Sequence, residues 1–325
     1  MKRFRNILFV VDPEKGCRSA FERAVLLAEN NQAEFVVVDV IPRVSAGFRL
    51  RGGGTTAEEL QAAATEQRLH RLESLIKPYE PRLGIQLKIL TGTPYLEIIR
   101  EVLRSNHDLV IRPPEDAGWF GRLFGSDDMN LLRQCPCPVW AVKCKGSGSF
   151  RRILAAVDVD ESSLRPEEMR HAMNLRILEI AGSLALSEFA DLHVVHVWDA
   201  IGEMLLRGTV VSTPDAEVSA YVDQVRERHA NYLTVLLQEV TGILGADALD
   251  YLKPKTHLVR GEARRKIPTL ARKIGADVVV MGTVGRGGIP GLLMGNTAEA
   301  ILQQVDCSVL ATKPPGFVTS VALDG

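Results

Sequence analysis

Four short segments of this chain occur twice, in the same order, and that repetition limits the fold more than any other feature. Arg5–Asp12 resembles Arg151–Asp158, and Ala33–Val40 resembles Ala190–Val197. Asp108–Ile111 resembles Asp277–Val280, and Cys137–Lys143 resembles Cys307–Lys313. The offset between copies grows along the chain, so the second copy has gained insertions. A duplicated supersecondary pattern in register is the mark of a repeated domain. With 325 residues, two domains also fit the usual domain size of roughly 100–200 residues.

Each copy has the same rhythm. Ile7–Val11, Phe35–Val40, Leu109–Ile111 and Val139–Val142 are apolar without alternation. Strands buried on both faces of a parallel sheet read that way. Between them, Ala57–Ile76 and Val218–Val240 place their aliphatic residues at helical spacing. The alternation predicts α/β architecture, with two tandem, doubly wound, parallel sheets of about five strands each. The domains are expected at residues 1–145 and 151–313. A Gly/Ser linker at Lys145–Phe150 would join them, and a tail at 314–325 would leave the sheet to pack on the surface or a partner.

Composition excludes several classes. Net charge is -1, with 39 basic and 40 acidic residues, so no overall basic field draws the chain to nucleic acid. The apolar run after the basic N-terminus is interrupted at Asp12, too early for a signal peptide. No run has the ~18 apolar residues of a membrane span. A cytoplasmic protein is expected. The five cysteines lack a disulfide spacing. Cys135-Pro-Cys137 is too tight for a zinc knuckle, and Cys137 is expected to begin a buried strand.

Chemistry concentrates after the second copy's fourth strand. Gly282-Thr-Val-Gly285-Arg286 and Gly295-Asn296-Thr297 frame a glycine-rich loop that leads into the helical Ala298–Gln304. Ligands in open α/β sheets bind beyond the carboxyl ends of strands. Glycines admit close backbone approach, and a helix start supplies N–H donors and partial positive charge. Arg286 adds a cation, Asn296 and Thr297 can cap the helix or donate to phosphate, and Asp158 can accept from a base or ribose. No Gly-Lys-Ser/Thr follows, so this is not a Walker A loop. On these residues alone, a phosphate cradle and a plain connection both stand.

The spacing Gly282-x2-Gly285-x9-Gly295 resembles the nucleotide motif of the universal stress proteins. The Ile-Leu-x-x-Val-Asp openings, the His-Val of the second strand and the final Cys-x-Val-Leu strand are similar too. The run Gly282–Glu299 and the Cys135–Trp140 run resemble the family's tandem, E-type subgroup. The resemblance covers nearly the whole chain, once per half. It implies the adenine nucleotide α-hydrolase-like fold and an ATP or AMP site, with Mg²⁺ as the ion that would accompany ATP. By resemblance the site comprises Asp158, Val197, Met281, Gly282, Gly285, Arg286, Gly295, Asn296 and Thr297. Asn296 departs from the motif, which has Ser or Thr there. The resemblance also implies stress-response roles, including resistance to DNA damage. Action would come through conformation or partners, with slow ATP hydrolysis or a pure interaction module as alternatives. The halves are expected to pair within the chain, and further homodimerisation is open.

The first copy has diverged. Counting back from Gly125-Ser126 puts Arg112 and Glu115 at the upstream glycine positions, followed by Asp116. Asp12, Val40, Gly125 and Ser126 are retained. This half is expected to be structural, regulatory or adapted to another ligand. Three weaker features read as structural. Arg49–Thr56 is a connection, Arg264-Arg265-Lys266 is a solvated first helical turn, and His107 and His196 are single histidines without a catalytic partner.

Overall fold

The structure is a computed structural model that describes residues 4–11, 18–45, 56–113, 126–143, 150–159, 167–208, 213–284 and 294–323. The first half runs β1 (Asn6–Val10), α1 (Arg18–Asn31), β2 (Glu34–Ile41), α2 (Ala57–Ile76), β3 (Ile85–Thr91), α3 (Pro94–Ser105), β4 (Leu109–Arg112), α4 (Ser126–Gln134) and β5 (Val139–Ala141). The second runs β6 (Arg152–Val157), α5 (Glu167–Glu188), β7 (Asp191–Trp198), α6 (Glu203–Leu206), α7 (Asp215–Leu244) and α8 (Ala246–Leu252). It continues with β8 (Lys255–Arg260), α9 (Ala263–Ile274), β9 (Val278–Gly282), α10 (Asn296–Leu302) and β10 (Ser308–Thr312). The insertions lengthen α5 and α7 over their counterparts α1 and α2, and add α6 and α8.

The strands form one sheet in the order β3-β2-β1-β4-β5-β10-β9-β6-β7-β8. Each half is parallel and doubly wound, because the chain turns back from the sheet edge to place its fourth strand beside its first. The halves join where β5 pairs antiparallel with β10, Trp140 lying opposite Leu310. Helices cover both faces. One core cluster combines Phe9, Phe21, Phe35, Ile177, Leu184 and Leu233, under α1, α2, α5 and α7. The other combines Val38, Ile98, Leu131, Val279, Ile301 and Val309, under α3, α4, α9 and α10. Burial on both faces explains why the strands read as unbroken apolar runs.

Several contacts cross the junction. Arg23 pairs with Glu188 at 3.0 Å, and its guanidinium lies 3.4 Å from the centre of the Phe150 ring. Phe150 packs on Trp140, so the end of the presumed linker is a core residue. The C-terminal segment turns back over the first half. Arg100 donates to the Ala322 carbonyl at 3.2 Å, and Val321 joins the α3/α4 core.

Candidate functional site

The second half's crossovers diverge between β6 and β9, its topological switch point. These two strands are parallel neighbours, with Ala156 opposite Met281. Asp158 therefore follows the tip of β6 beside Gly282 at the tip of β9, and Val197 lies one strand further on, near the end of β7. Met281 is buried in the core on the face covered by α3, α4, α9 and α10. Gly285 and Arg286 lie outside the described residues, as do Asp12, Glu115, Asp116 and Gly125.

Space at Gly282 is tight. A Cβ there would sit 3.1 Å from Met173 Sδ and 3.3 Å from its Cγ. Met173 is a buried residue of α5, so a side chain at 282 needs the Met173 side chain to give way slightly. Beyond Gly282 the chain forms a neck. The Thr283 N–H donates to the Thr312 carbonyl at 3.1 Å, and the Thr283 carbonyl accepts from the Gly295 N–H at 2.9 Å. Val284 and Met294 then pair antiparallel. The glycine loop thus leaves and re-enters the fold at one closed point.

Gly295 is the N-cap of α10 and contributes no side-chain cap. The expectation that Asn296 or Thr297 caps this helix is therefore corrected. Both lie inside the first turn and are exposed. First-turn amides have no intrahelical acceptor, so those of Asn296, Thr297 and Ala298 are not bonded within α10. The neighbouring acid Glu299 is matched by Arg133 of the first half at 3.1 Å.

The Asp158 backbone is clamped on two sides. Its N–H donates to Asn174 Oδ1 at 2.9 Å, and its carbonyl accepts from Asn174 Nδ2 at 2.6 Å. His196 Nδ1 lies 3.3 Å from the Val157 carbonyl oxygen and 3.4 Å from the Val159 nitrogen. Its Nε2 meets His229 Nδ1 of α7 at 3.0 Å, so His196 does have an imidazole partner. Sequence reasoning missed Asn174 and His229. An amide on the apolar stripe of α5 was the available signal for Asn174.

The corresponding place in the first half has different chemistry. Strand registers put Ile7 opposite Leu109 and Ile153 opposite Val278. Since Ile7 and Ile153 are repeat equivalents, Arg112 corresponds to Met281, and Pro113 to Gly282. This corrects the count that set Arg112 at the Gly282 position. That count assumed loops of equal length, and the first loop is one residue shorter. Arg112 is buried and pairs through Nε with Asp128 Oδ1 at 2.9 Å. Asp127 and Asp128 occupy the first turn of α4, so this helix start already carries its own anions. Likewise Asp39, paired with Arg68 at 3.2 Å, stands where the second half has His196. Burial raises the Asp39 carboxyl above its ordinary range, against the pull of Arg68.

Other candidates resolve as structure. Arg264 and Arg265 both pair with the N-cap residue Glu262, at 3.1 and 3.2 Å. Arg49–Gly54 fall outside the described residues. Cys135 and Cys137 are buried free thiols with their sulfurs 3.6 Å apart, and burial pushes Cys137 well above the ordinary thiol range. Cys137 precedes β5 rather than beginning it. Among the described residues there is no group of three or more potential metal-ligating side chains, and no helix is long and apolar enough to cross a membrane.

Comparison with known proteins bears on the family and the fold. The chain is 29% identical to universal stress protein E of Salmonella typhi, over 100% of this chain and 99% of that one. It is 27% identical to the protein of the same name from Photorhabdus laumondii, over 98% and 97%. A functionally unknown protein from Pseudomonas aeruginosa PAO1 superposes with a TM-score of 0.65 at 25% identity, covering 96% of this chain and 94% of its own. A universal stress protein from Archaeoglobus fulgidus has the same fold, with a TM-score of 0.60 at 18% identity over 95% and 98% of the chains. The universal stress protein family profile matches twice, at residues 3–143 and 149–313; the chain belongs to the universal stress protein family and carries two copies of its domain in tandem.

Proposed function

We propose that the second half binds one adenine nucleotide, ATP or AMP, and that the chain acts through the resulting conformation or partner contacts. The observation carrying this reading is the closed neck at Thr283–Gly295, which brings the two ends of the glycine segment and the start of α10 together beyond the tip of β9. The donor set suits phosphate: backbone N–H groups at a helix start, exposed polar side chains and a local acid already matched by Arg133. Asp158 and Val197 would meet the nucleoside. Gly282, Gly295, Asn296 and Thr297, together with Gly285 and Arg286, would hold the phosphates. The first half lacks this provision, because Asp127 and Asp128 occupy the matching helix start.

Calorimetric titration of the full chain with ATP and with AMP tests the reading. Saturable binding at one site per chain is expected. Asn296→Asp places a carboxylate at an exposed helix start, where it favours folding but repels phosphate. It should weaken ATP binding by about fivefold or more, the equivalent of roughly 1 kcal/mol for two charges in contact in water. Absence of heat with both nucleotides would overturn the proposal.

A further inference from the structure

Lys313 follows β10 and is only 4% exposed. Its ammonium donates to the Leu132 carbonyl at 2.6 Å and to the Thr283 hydroxyl, and lies 5.2 Å from the Phe317 ring. These partners come from three places. Leu132 is in the last turn of α4, in the first half. Thr283 is the root of the phosphate-loop neck, in the second half, and Phe317 belongs to the C-terminal segment. Among the described residues, Cys135, after α4, acts on the Lys313 amine; Arg176 of α5 donates to Thr312 Oγ1 next to it at 3.1 Å, and Arg133 of α4 pairs with Glu299 of α10.

The repeat makes the arrangement specific. Lys143 is the first copy's equivalent of Lys313, and it is half-exposed. It reaches the carbonyl of Asp306 rather than a loop neck. Only the second copy buries its lysine, and only the second copy keeps the glycine loop. The buried ammonium is directed at a helix C-terminal carbonyl, where the helix dipole favours a cation. It thereby ties the first half's α4 to Thr283, whose carbonyl in turn holds the Gly295 amide.

We propose that Lys313 is a positioning residue through which the first half holds the neck of the second half's phosphate loop. The consequence for nucleotide affinity rests on the function proposed above; the neck itself exists without ligand. A buried charge is seldom retained for stability, since an apolar replacement of similar volume is often neutral or stabilising. Positioning gives this one a reason.

Hydrogen exchange on the ligand-free full chain tests the proposal. Lys313→Met and Thr283→Val each remove one side of the contact. Exchange at the Gly295 amide should accelerate by about tenfold in both variants, reporting a more frequent local opening. The melting temperature of Lys313→Met should not fall, which separates loosening of the neck from general destabilisation. ATP and AMP affinity should drop in parallel. Unchanged Gly295 exchange in folded Lys313→Met overturns the proposal, and should that variant fail to fold, Thr283→Val decides in the same way. Faster Gly295 exchange in a protein that binds neither nucleotide supports the positioning role and rejects the nucleotide function.

Discussion

Lys313 also shows how much a single buried charge weighs on stability. Burial lowers its amine from 10.5 to about 8, with only the partial opposition of Cys135. Below about pH 8 the lysine is charged in both folded and unfolded chains, and the cost of burying the charge is fully present. Between about 8 and about 10.5 the folded chain has released the proton while the unfolded chain keeps it. Stability contributed through this group therefore rises with pH across that window and levels off above it. At about 1.4 kcal/mol per pKa unit, the rise is about 3 kcal/mol. Urea denaturation of wild type and Lys313→Met at a series of pH values would show it. The wild type should gain relative to the variant as pH increases, and a constant difference would disprove the assignment. Asn174 shows the converse at the same scale. Its place on the apolar stripe of α5 marks it as unusual, but its role depends on α5 lying alongside the backbone at Asp158.

At the scale of elements, the helices whose termini carry recognisable chemistry are the ones that sequence reading places well. Helix α2 covers Ala57–Ile76, the range predicted from its apolar spacing. Its start is a capping box. Thr56 Oγ1 accepts from the Glu59 N–H at 3.1 Å, and Glu59 Oε2 accepts from the Thr56 N–H at 2.9 Å. Thr56→Ala should cost about 1 kcal/mol, as loss of an N-cap usually does, measured as a lower denaturation midpoint at unchanged slope. No loss would mean that tertiary contacts alone hold the start of α2. Helix α10 was harder. Asn296 and Thr297 have capping chemistry, yet Gly295 takes the N-cap position because its amide is held by the Thr283 carbonyl. A long-range contact moved the helix boundary past the residues that local preference favours.

At the scale of the molecule, the sheet is continuous because β5 meets β10. In isolation, a chain of residues 1–145 would expose the edge of β5 that pairs with Val309–Ala311. An unpaired edge beside buried apolar strands invites pairing with a second copy. Sedimentation of that fragment should show self-association, and a stable monomer would contradict the view that β10 is what satisfies this edge. The sequence by itself determined the duplication, the α/β class, the order of strands and helices, and the glycine spacing. All of these are local periodicities or direct repeats, recorded residue by residue along the chain. Tertiary structure alone decided that the fifth strands join antiparallel and that the C-terminal segment crosses to the first half. It alone brought Lys313 between α4 and Thr283. These are contacts between residues far apart in sequence, and they follow from which surfaces bury each other when the two copies meet, for which no local pattern exists.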